Sequence, residues 1–358
     1  RPRKTATPII INGDMQIAQR ATSGTYTGTE DEIETCDRWK GFIGSAGTFT
    51  NTQDTDVPTG YGFAKAWKID CTTADSSLSS TDFFFVRQSI EGQNLQVFKK
   101  GTSLAETFTL AFWVKSHVTG TYTCELEDKD NSRSVSKSYT ISSANTWEKK
   151  VLNFPADTTG AFGNDNGASL DVKFWLCAGS GFSSGTLQET WDSTTTTEQV
   201  ASGQVNLASS TDNNWWFTGV QLEVGTFTST DLPDFQFEDR GTSLNRCRRY
   251  CFVSGYSGDG GAKCIADFGI AIGTTLVDSY MDLKPEMRTA PSMTNSGALN
   301  ISNGSSAVAA SAIAINSTIN SRQFAGVRTT CSSGLTGGAL YRIEENSSSG
   351  AKIILDAE

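Results

Sequence analysis

The 358-residue chain carries a single histidine, His117, in the run Ser116-His-Val-Thr119. A Ser-His-Asp triad moves its proton through an imidazole, so any such triad would have to use this residue. The run reads as a turn after a strand and no Gly-x-Ser-x-Gly elbow occurs, so His117 is expected at the surface. Glycoside hydrolysis needs only two carboxylates at a set separation, and Glu91, Glu125, Glu127, Asp128 and Asp130 are available for it. Acidic side chains on solvated strands are their ordinary reading. The glycine-rich run Gly258-Asp-Gly-Gly261 falls between strands and not before a helix, which argues against a phosphate cradle. No catalytic residue is predicted, and the chain reads as a non-enzyme.

Aromatic side chains offer a different chemistry, because the C–H faces of sugar rings stack on them while polar neighbours bind hydroxyls. In Phe108-Thr-Leu-Ala-Phe-Trp-Val-Lys115 the period of two puts Phe108, Leu110, Phe112 and Val114 on a core face and Thr109, Ala111, Trp113 and Lys115 on the other. The same parity places Lys173 with Trp175, and Trp215 with Phe217, opposite their strands' core residues; Trp216, Val220, Leu222 and Val224 are read as the core face of the last of these strands. Three strands are thus expected to present Trp113, Trp175, Trp215 and Phe217 together, with Arg87, Gln88 and Glu125 completing a glycan platform. The competing reading is that a long loop, the second domain or a neighbouring subunit covers these rings. Trp191, in a polar loop, is read either as exposed or as a pin holding that loop to the sandwich.

Eight cysteines, at 36, 71, 124, 177, 247, 251, 264 and 331, lack the paired short spacings of a zinc site and are expected mostly as buried thiols. Cys247 and Cys251 would share a helix face, but two ligands make a weak site, and no metal is predicted. The net charge of -10 and the absence of a basic stripe exclude general nucleic-acid binding. Arg1, Arg3 and Lys4 read as a solvated arm. No apolar stretch approaches the length of about 18 residues that spans a membrane, and the N-terminus lacks the order of a signal peptide. No membrane insertion is expected.

These residues must be positioned mainly by strands. The 34 glycines, abundant Ser and Thr, and scarcity of long leucine-rich periodic segments favour an all-β chain. Residues 1–8 read as an arm, 9–235 as a β-sandwich, 236–253 as a helical connector and 254–358 as a second, smaller β-sandwich. Within the first, Thr121 to Glu127 and Arg133 to Ile141 predict a hairpin around Asp128-Lys-Asp-Asn-Ser132. A polar insertion from Ala178 to Ser210 is expected to be mobile. The connector is read as a helix over Ser243–Phe252, N-capped by Thr242 or Ser243. The modest apolar content of the last 105 residues predicts that oligomerisation supplies part of their burial.

Several strings taken together resemble bacteriophage tail-fibre and related virion appendage proteins. They are Ile11-Asn-Gly-Asp-Met-Gln-Ile-Ala-Gln-Arg20, Asp37-Arg-Trp39, Gln88-Ser-Ile-Glu-Gly92, Phe108 to Ser116, Thr146-Trp-Glu-Lys149, Thr218-Gly-Val-Gln-Leu-Glu223, Arg246-Cys-Arg-Arg-Tyr250 and Lys284-Pro-Glu-Met-Arg-Thr-Ala-Pro291. The resemblance covers most of the chain in order. It implies a carbohydrate-binding-module-like jelly roll followed by a trimeric fibre-tip domain, in a homotrimer carried on a virion with other virion proteins. It implies a receptor-binding appendage that attaches to host surface polysaccharide. The alternatives are a capsid-decorating, head-fibre or baseplate protein without glycan binding, and a polysaccharide depolymerase. Jelly rolls of this family often hold a structural calcium through an acidic residue near the start and an Asp in the last strand. Here that strand offers Thr218 and Gly219, leaving Asp14 and backbone carbonyls, and no cofactor is predicted.

Overall fold

The computed structural model describes residues 7–27, 35–255, 264–346 and 350–358. The basic residues Arg1, Arg3 and Lys4 and the run from Gly258 to Gly261 lie outside the described residues. The chain divides into two compact units, residues 1–239 and 240–358. No helix among the described residues is long and apolar enough to cross a membrane.

The first unit runs β1 (Ser23–Tyr26), β2 (Lys40–Gly44), β3 (Thr48–Asp54), β4 (Ala66–Thr73), β5 (Phe83–Glu91), β6 (Phe108–Ser116), β7 (Gly120–Asp128), β8 (Arg133–Ile141), β9 (Glu148–Phe154), β10 (Ala168–Ala178), the one-turn helix α1 (Ser180–Ser183), β11 (Asp192–Ser193) and β12 (Asn214–Val224). Among the described residues these form two six-stranded antiparallel sheets, β1-β3-β4-β12-β6-β9 and β11-β8-β7-β10-β5-β2, in a jelly-roll sandwich. The expected hairpin is β7–β8. Its turn forms because the Asp128 carboxylate accepts the amides of Asp130 and Asn131 at 3.0 and 3.1 Å, a local bond that pulls the chain out of the ladder.

Period-two alternation fills the sandwich from both sheets. Phe108, Leu110, Phe112 and Val114 of β6 meet Tyr122, Cys124 and Leu126 of β7 and Leu170, Val172, Phe174 and Leu176 of β10 in one core. Aromatic edges lock it: Phe112 and Phe174 are T-shaped at 5.0 Å and Trp39 and Phe217 at 4.9 Å.

The second unit holds α2 (Arg240–Arg248), β13 (Cys251–Ser254), β14 (Cys264–Ala271), β15 (Leu276–Asp282), β16 (Ser292–Ser296), β17 (Leu299–Ser302), β18 (Ala307–Ile315), β19 (Phe324–Cys331), β20 (Leu340–Glu345) and β21 (Lys352–Asp356). Six of its strands close into a barrel, β14-β15-β19-β18-β17-β20, beside a three-stranded sheet β13-β21-β16. Val277, Met281, Ile301, Val327 and Ile343 are among the side chains of its core. The helix begins at Arg240, so Thr242 and Ser243 lie inside it instead of capping it; Gly241, a poor helix former, masks the first turn in the sequence. It also ends at Arg248, which puts Cys251 on β13 and removes the shared helix face expected for Cys247 and Cys251. All eight cysteines are free thiols, and all but Cys264 are buried. Burial pushes the thiols of Cys36, Cys124 and Cys177 well up from their ordinary value.

Candidate functional site

The three-strand platform expected from parity is not assembled. β6 and β12 are neighbours in one sheet, whereas β10 belongs to the other, so their outer faces point in opposite directions. A bulge also inverts half of β12. Thr218 pairs with Trp113 but Gln221 pairs with Ala111, three residues against two, with Gly219 at φ +63° absorbing the extra residue. Before the bulge, Trp215 and Phe217 therefore point into the core, both at 0% exposure, and Trp216 points out; after it, Val220 and Leu222 point in. The expected shared face of Trp216 with Val220 and Leu222 is corrected accordingly. An isolated glycine inside an apolar strand was the available signal for this inversion. Gln88 is interior as well, its amide bonding both the N–H and the C=O of Ile11 at 2.8 Å and so holding the N-terminal segment.

Trp175, Arg87 and Glu125 do lie together on the outer face of the second sheet, but the insertion after β10 covers Trp175 and Glu125, leaving Arg87 part-exposed. Trp175 is 1% exposed and packs with Phe85 and Val200, with Phe182 of α1 at 5.4 Å. Its indole donates to Glu125 at 3.0 Å, the Gln199 amide donates to the other carboxylate oxygen at 3.0 Å, and the Lys173 ammonium lies 3.3 Å from Glu125 and 2.6 Å from Glu127. Burial outweighs Lys173 and holds Glu125 above the ordinary carboxylate value. Arg87 pairs with Asp171 at 3.0 Å and lies over the Phe42 ring. The insertion is a packed cover and not the mobile loop expected: the Ser136 hydroxyl and amide donate to the carbonyls of Gln199 and Gln188. Trp191 pins it, donating to the Pro155 carbonyl at 2.9 Å and packing against Phe108. His117 is exposed, beside the Asn145 amide at 3.4 Å.

The outer face of the first sheet gathers a different set, of which sequence reasoning placed only Trp113 and Lys115 on that face. Here Trp113 is half-buried with the Tyr61 ring over it at 4.2 Å and 48°, Tyr61 being 56% exposed at the tip of the β3–β4 loop. Gly60 and Gly62, both at positive φ, allow that loop to turn sharply on either side of Tyr61. Two residues along β6, the ammonium of Lys115 sits 4.1 Å from the Trp216 ring and 5.5 Å from that of Trp147. Lys115 also pairs with Asp56, which accepts the Trp147 indole N–H at 3.0 Å, while Asp54 accepts that of Trp216 at 3.0 Å. Burial raises Asp54, but the Trp216 bond, its own loop amides and Lys68 together bring it below the ordinary carboxylate value. Lys68 lies 5.2 Å from the other side of the Trp216 ring and 3.2 Å from Asp70. Below this region the segment after β12 covers the same sheet, through a Gln221–Pro233 bond and the Phe63, Phe235 and Phe237 rings. The part that reaches solvent is an aromatic group of Tyr61, Trp113 and Trp147, while Trp216, 8% exposed, lies beneath Lys115 and Lys68.

The calcium position of the resembled family is represented by Asp14, which burial and the nearby Glu238 carboxylate hold above the ordinary value. The Thr218 hydroxyl donates to the Lys65 carbonyl, and no group of three acidic, His or Cys side chains gathers there among the described residues. That donor set falls short of the family's pattern.

No family model and no curated protein matches the chain. Among solved structures it is similar to the enzymatically active domain of tailspike protein 4 of bacteriophage CBA120, at 15% identity over 61% of this chain and 21% of that one, with a TM-score of 0.33. The chain thus spans about a fifth of that protein's length. It is also similar to the family 11 carbohydrate-binding module of Clostridium thermocellum in complex with a β-1,3-1,4-mixed-linked tetrasaccharide, at 11% identity over 58% and 99%, TM-score 0.28. A third is TmCBM61 in complex with β-1,4-galactotriose, at 6% identity over 61% and 99%, TM-score 0.26. At these scores the likeness fixes no ligand.

Proposed function

We propose that the outer face of the first sheet binds a glycan, and that the chain serves as a host-attachment appendage of a virion. The observation that carries the binding is the solvent-facing aromatic group of Tyr61, Trp113 and Trp147, backed by the buried Trp216. Tyr61 and Trp113 meet at a tilt at the solvent edge, and Trp147 and Trp216 are held by one buried ammonium and two carboxylates. Rings fixed in place lose little entropy when a sugar stacks on them, which is what makes such a face a binding surface and not merely an exposed patch. A role without catalysis is supported by the closure of Glu125 beneath the insertion. The virion setting rests on the sequence resemblance. Self-association as a homotrimer is supported by a band of exposed apolar side chains on the barrel of the second unit.

The test is affinity electrophoresis of the whole chain in gels containing extracted bacterial surface polysaccharide, with a reducing-sugar assay on the same mixtures. Retardation without sugar release is expected. Trp113→Ala should weaken retardation by about tenfold or more, as loss of an aromatic anchor does, with an unchanged thermal melt. Trp175→Ala should instead lower stability by about 3–5 kcal/mol, the cost of emptying a packed aromatic site. Undiminished binding by Trp113→Ala would remove the first sheet from consideration, and sugar release would move the chain to the depolymerases.

A further inference from the structure

Lysine and tryptophan alternate across the uncovered face in both directions. β9 and β6 place Lys149 directly opposite Trp113, and Trp147, from the loop just before β9, lies 5.5 Å from the Lys115 ammonium. β12 and β4 continue the row, with Trp216 opposite Lys115 on one side and opposite Lys68 on the other. Three indoles, one of them from that loop, therefore alternate with three ammonium groups on neighbouring strands, in a chain whose net charge is -10.

The cations of this lattice are not equivalent. Lys115 is bound to Asp56 and Lys68 to Asp70, while Asp54 is engaged by the Trp216 indole. Each carboxylate of the face is thus already committed to a partner within it. Lys149 is exposed and, among the described residues, has neither an ion pair nor a side-chain hydrogen bond. It stands next to Trp113, the indole that together with Tyr61 forms the solvent edge.

A hexuronate fits this pairing. Its pyranose ring carries an apolar face that stacks on an indole, and its carboxylate projects from the ring edge to a distance comparable with the strand spacing of about 4.8 Å. With the ring against the solvent-facing edge of the Tyr61–Trp113 pair, the carboxylate falls within reach of the flexible Lys149 side chain. Because the chain as a whole repels anions, such selection has to come from this local contact and not from long-range attraction.

We propose that this face prefers acidic polysaccharide, with Lys149 as the residue that selects a uronate carboxylate beside the Trp113 ring. This rests on the glycan reading above. The experiment uses the whole chain against alginate, polygalacturonate and hyaluronan, each paired with its own carboxyl-reduced form, by titration calorimetry. At least one uronate polymer should bind, and its reduced form should bind about fivefold more weakly, the upper range for an exposed ion pair. Lys149→Ala should abolish that difference while keeping the residual affinity for the reduced form, and Lys149→Arg should restore it. Trp113→Ala should lose both. Equal binding of the acidic and reduced polymers, or an unchanged ratio in Lys149→Ala, overturns the acid preference and leaves glycan recognition standing. Absence of binding to every polymer in both forms overturns the acid preference together with the glycan reading.

Discussion

Lys100 lies fully buried between Asp128 and Asp157, with the rings of Phe162 and Trp191 about its ammonium. Two carboxylates face this one buried ammonium, and among the described residues only Asp157 has a second cation, Arg133 at 2.9 Å. Lys100→Met is therefore expected to cost about 3–5 kcal/mol in urea unfolding, the penalty of a buried charge left without its partner. The same charges set an acid limit. Burial raises Asp157, but Arg133, a loop amide and Lys100 together bring it below its ordinary 3.8; Glu127 is likewise carried below 4.5 by Lys173 and Lys129 against the effect of burial. Carboxylates with lowered folded values contribute stability that is complete above those ordinary values and is lost as the pH falls through the lower folded ones. Glu125 acts in the opposite sense: its raised value means its contribution is greatest below 4.5 and is lost as the pH rises through the folded value. Unfolding midpoints measured from pH 6 down to pH 2 should thus drop steeply below about pH 4 in the native chain, and Glu127→Gln should flatten that drop. None of these partners was legible in the sequence, because Lys100, Asp128 and Asp157 meet only after the loops following β5 and β9 have folded over the hairpin.

At the scale of elements, β6, β7, β8 and the stretch of β10 from Leu170 to Trp175 were readable because unbroken alternation fixes both a strand and its inward face; beyond Trp175 a bulge brings both Leu176 and Cys177 into the core. β12 was readable as a strand but not in its facing. A single inserted residue at Gly219 reverses every side chain before it, so the tryptophans assigned to surface and core exchanged places. The glycine is required: a β-carbon there would lie 2.5 Å from the Phe63 ring, at a φ of +63° that other residues adopt with strain. Gly219→Ala should lower stability by about 2 kcal/mol, seen as a shifted urea midpoint with an unchanged slope. The insertion after β10 was misjudged for a related reason. Its composition is that of a loose polar loop, and its anchors, Trp191 and the adjacent Gln199 and Val200, repeat at neither a strand nor a helix period. The aromatic face was half legible for the same cause: Trp113 follows from its own strand, whereas Tyr61 and Trp147 arrive from loops.

For the molecule as a whole, the exposed apolar side chains are unevenly divided. Phe268, Ile270, Ile272, Tyr280, Phe324 and Leu340, each 43–58% exposed, all belong to the barrel, where Ile270 is opposite Leu340 and the Tyr280 and Phe324 rings lie 6.3 Å apart. Together they present about 600 Å² of apolar surface, taking roughly 150–250 Å² for a large aromatic side chain. That is at the upper end for a patch left open on a monomer and near the area of about 800 Å² that each partner contributes to a standard interface. Light scattering should give a multiple of the 38.4 kDa chain mass, three in the homotrimer proposed above. The double variant Ile270→Lys and Leu340→Lys should revert to a single chain, and a native chain that stays single would remove self-association through this band. The composition of the last third of the sequence indicated a deficit of burial but not where it would fall, since the exposed residues alternate with core residues on the same strands.

Tyr61 lies in the β3–β4 loop and Trp147 in the last position of the β8–β9 loop, while Trp113 and Trp216 stand on strands whose opposite sides fill the sandwich. This divides the face into a fixed and a replaceable half. Substitutions that exchange the rim leave the scaffold intact, and those that alter the floor disturb it. Under the attachment role proposed above, the ligand preference can therefore be rewritten through two short loops, with the sheet beneath them unchanged.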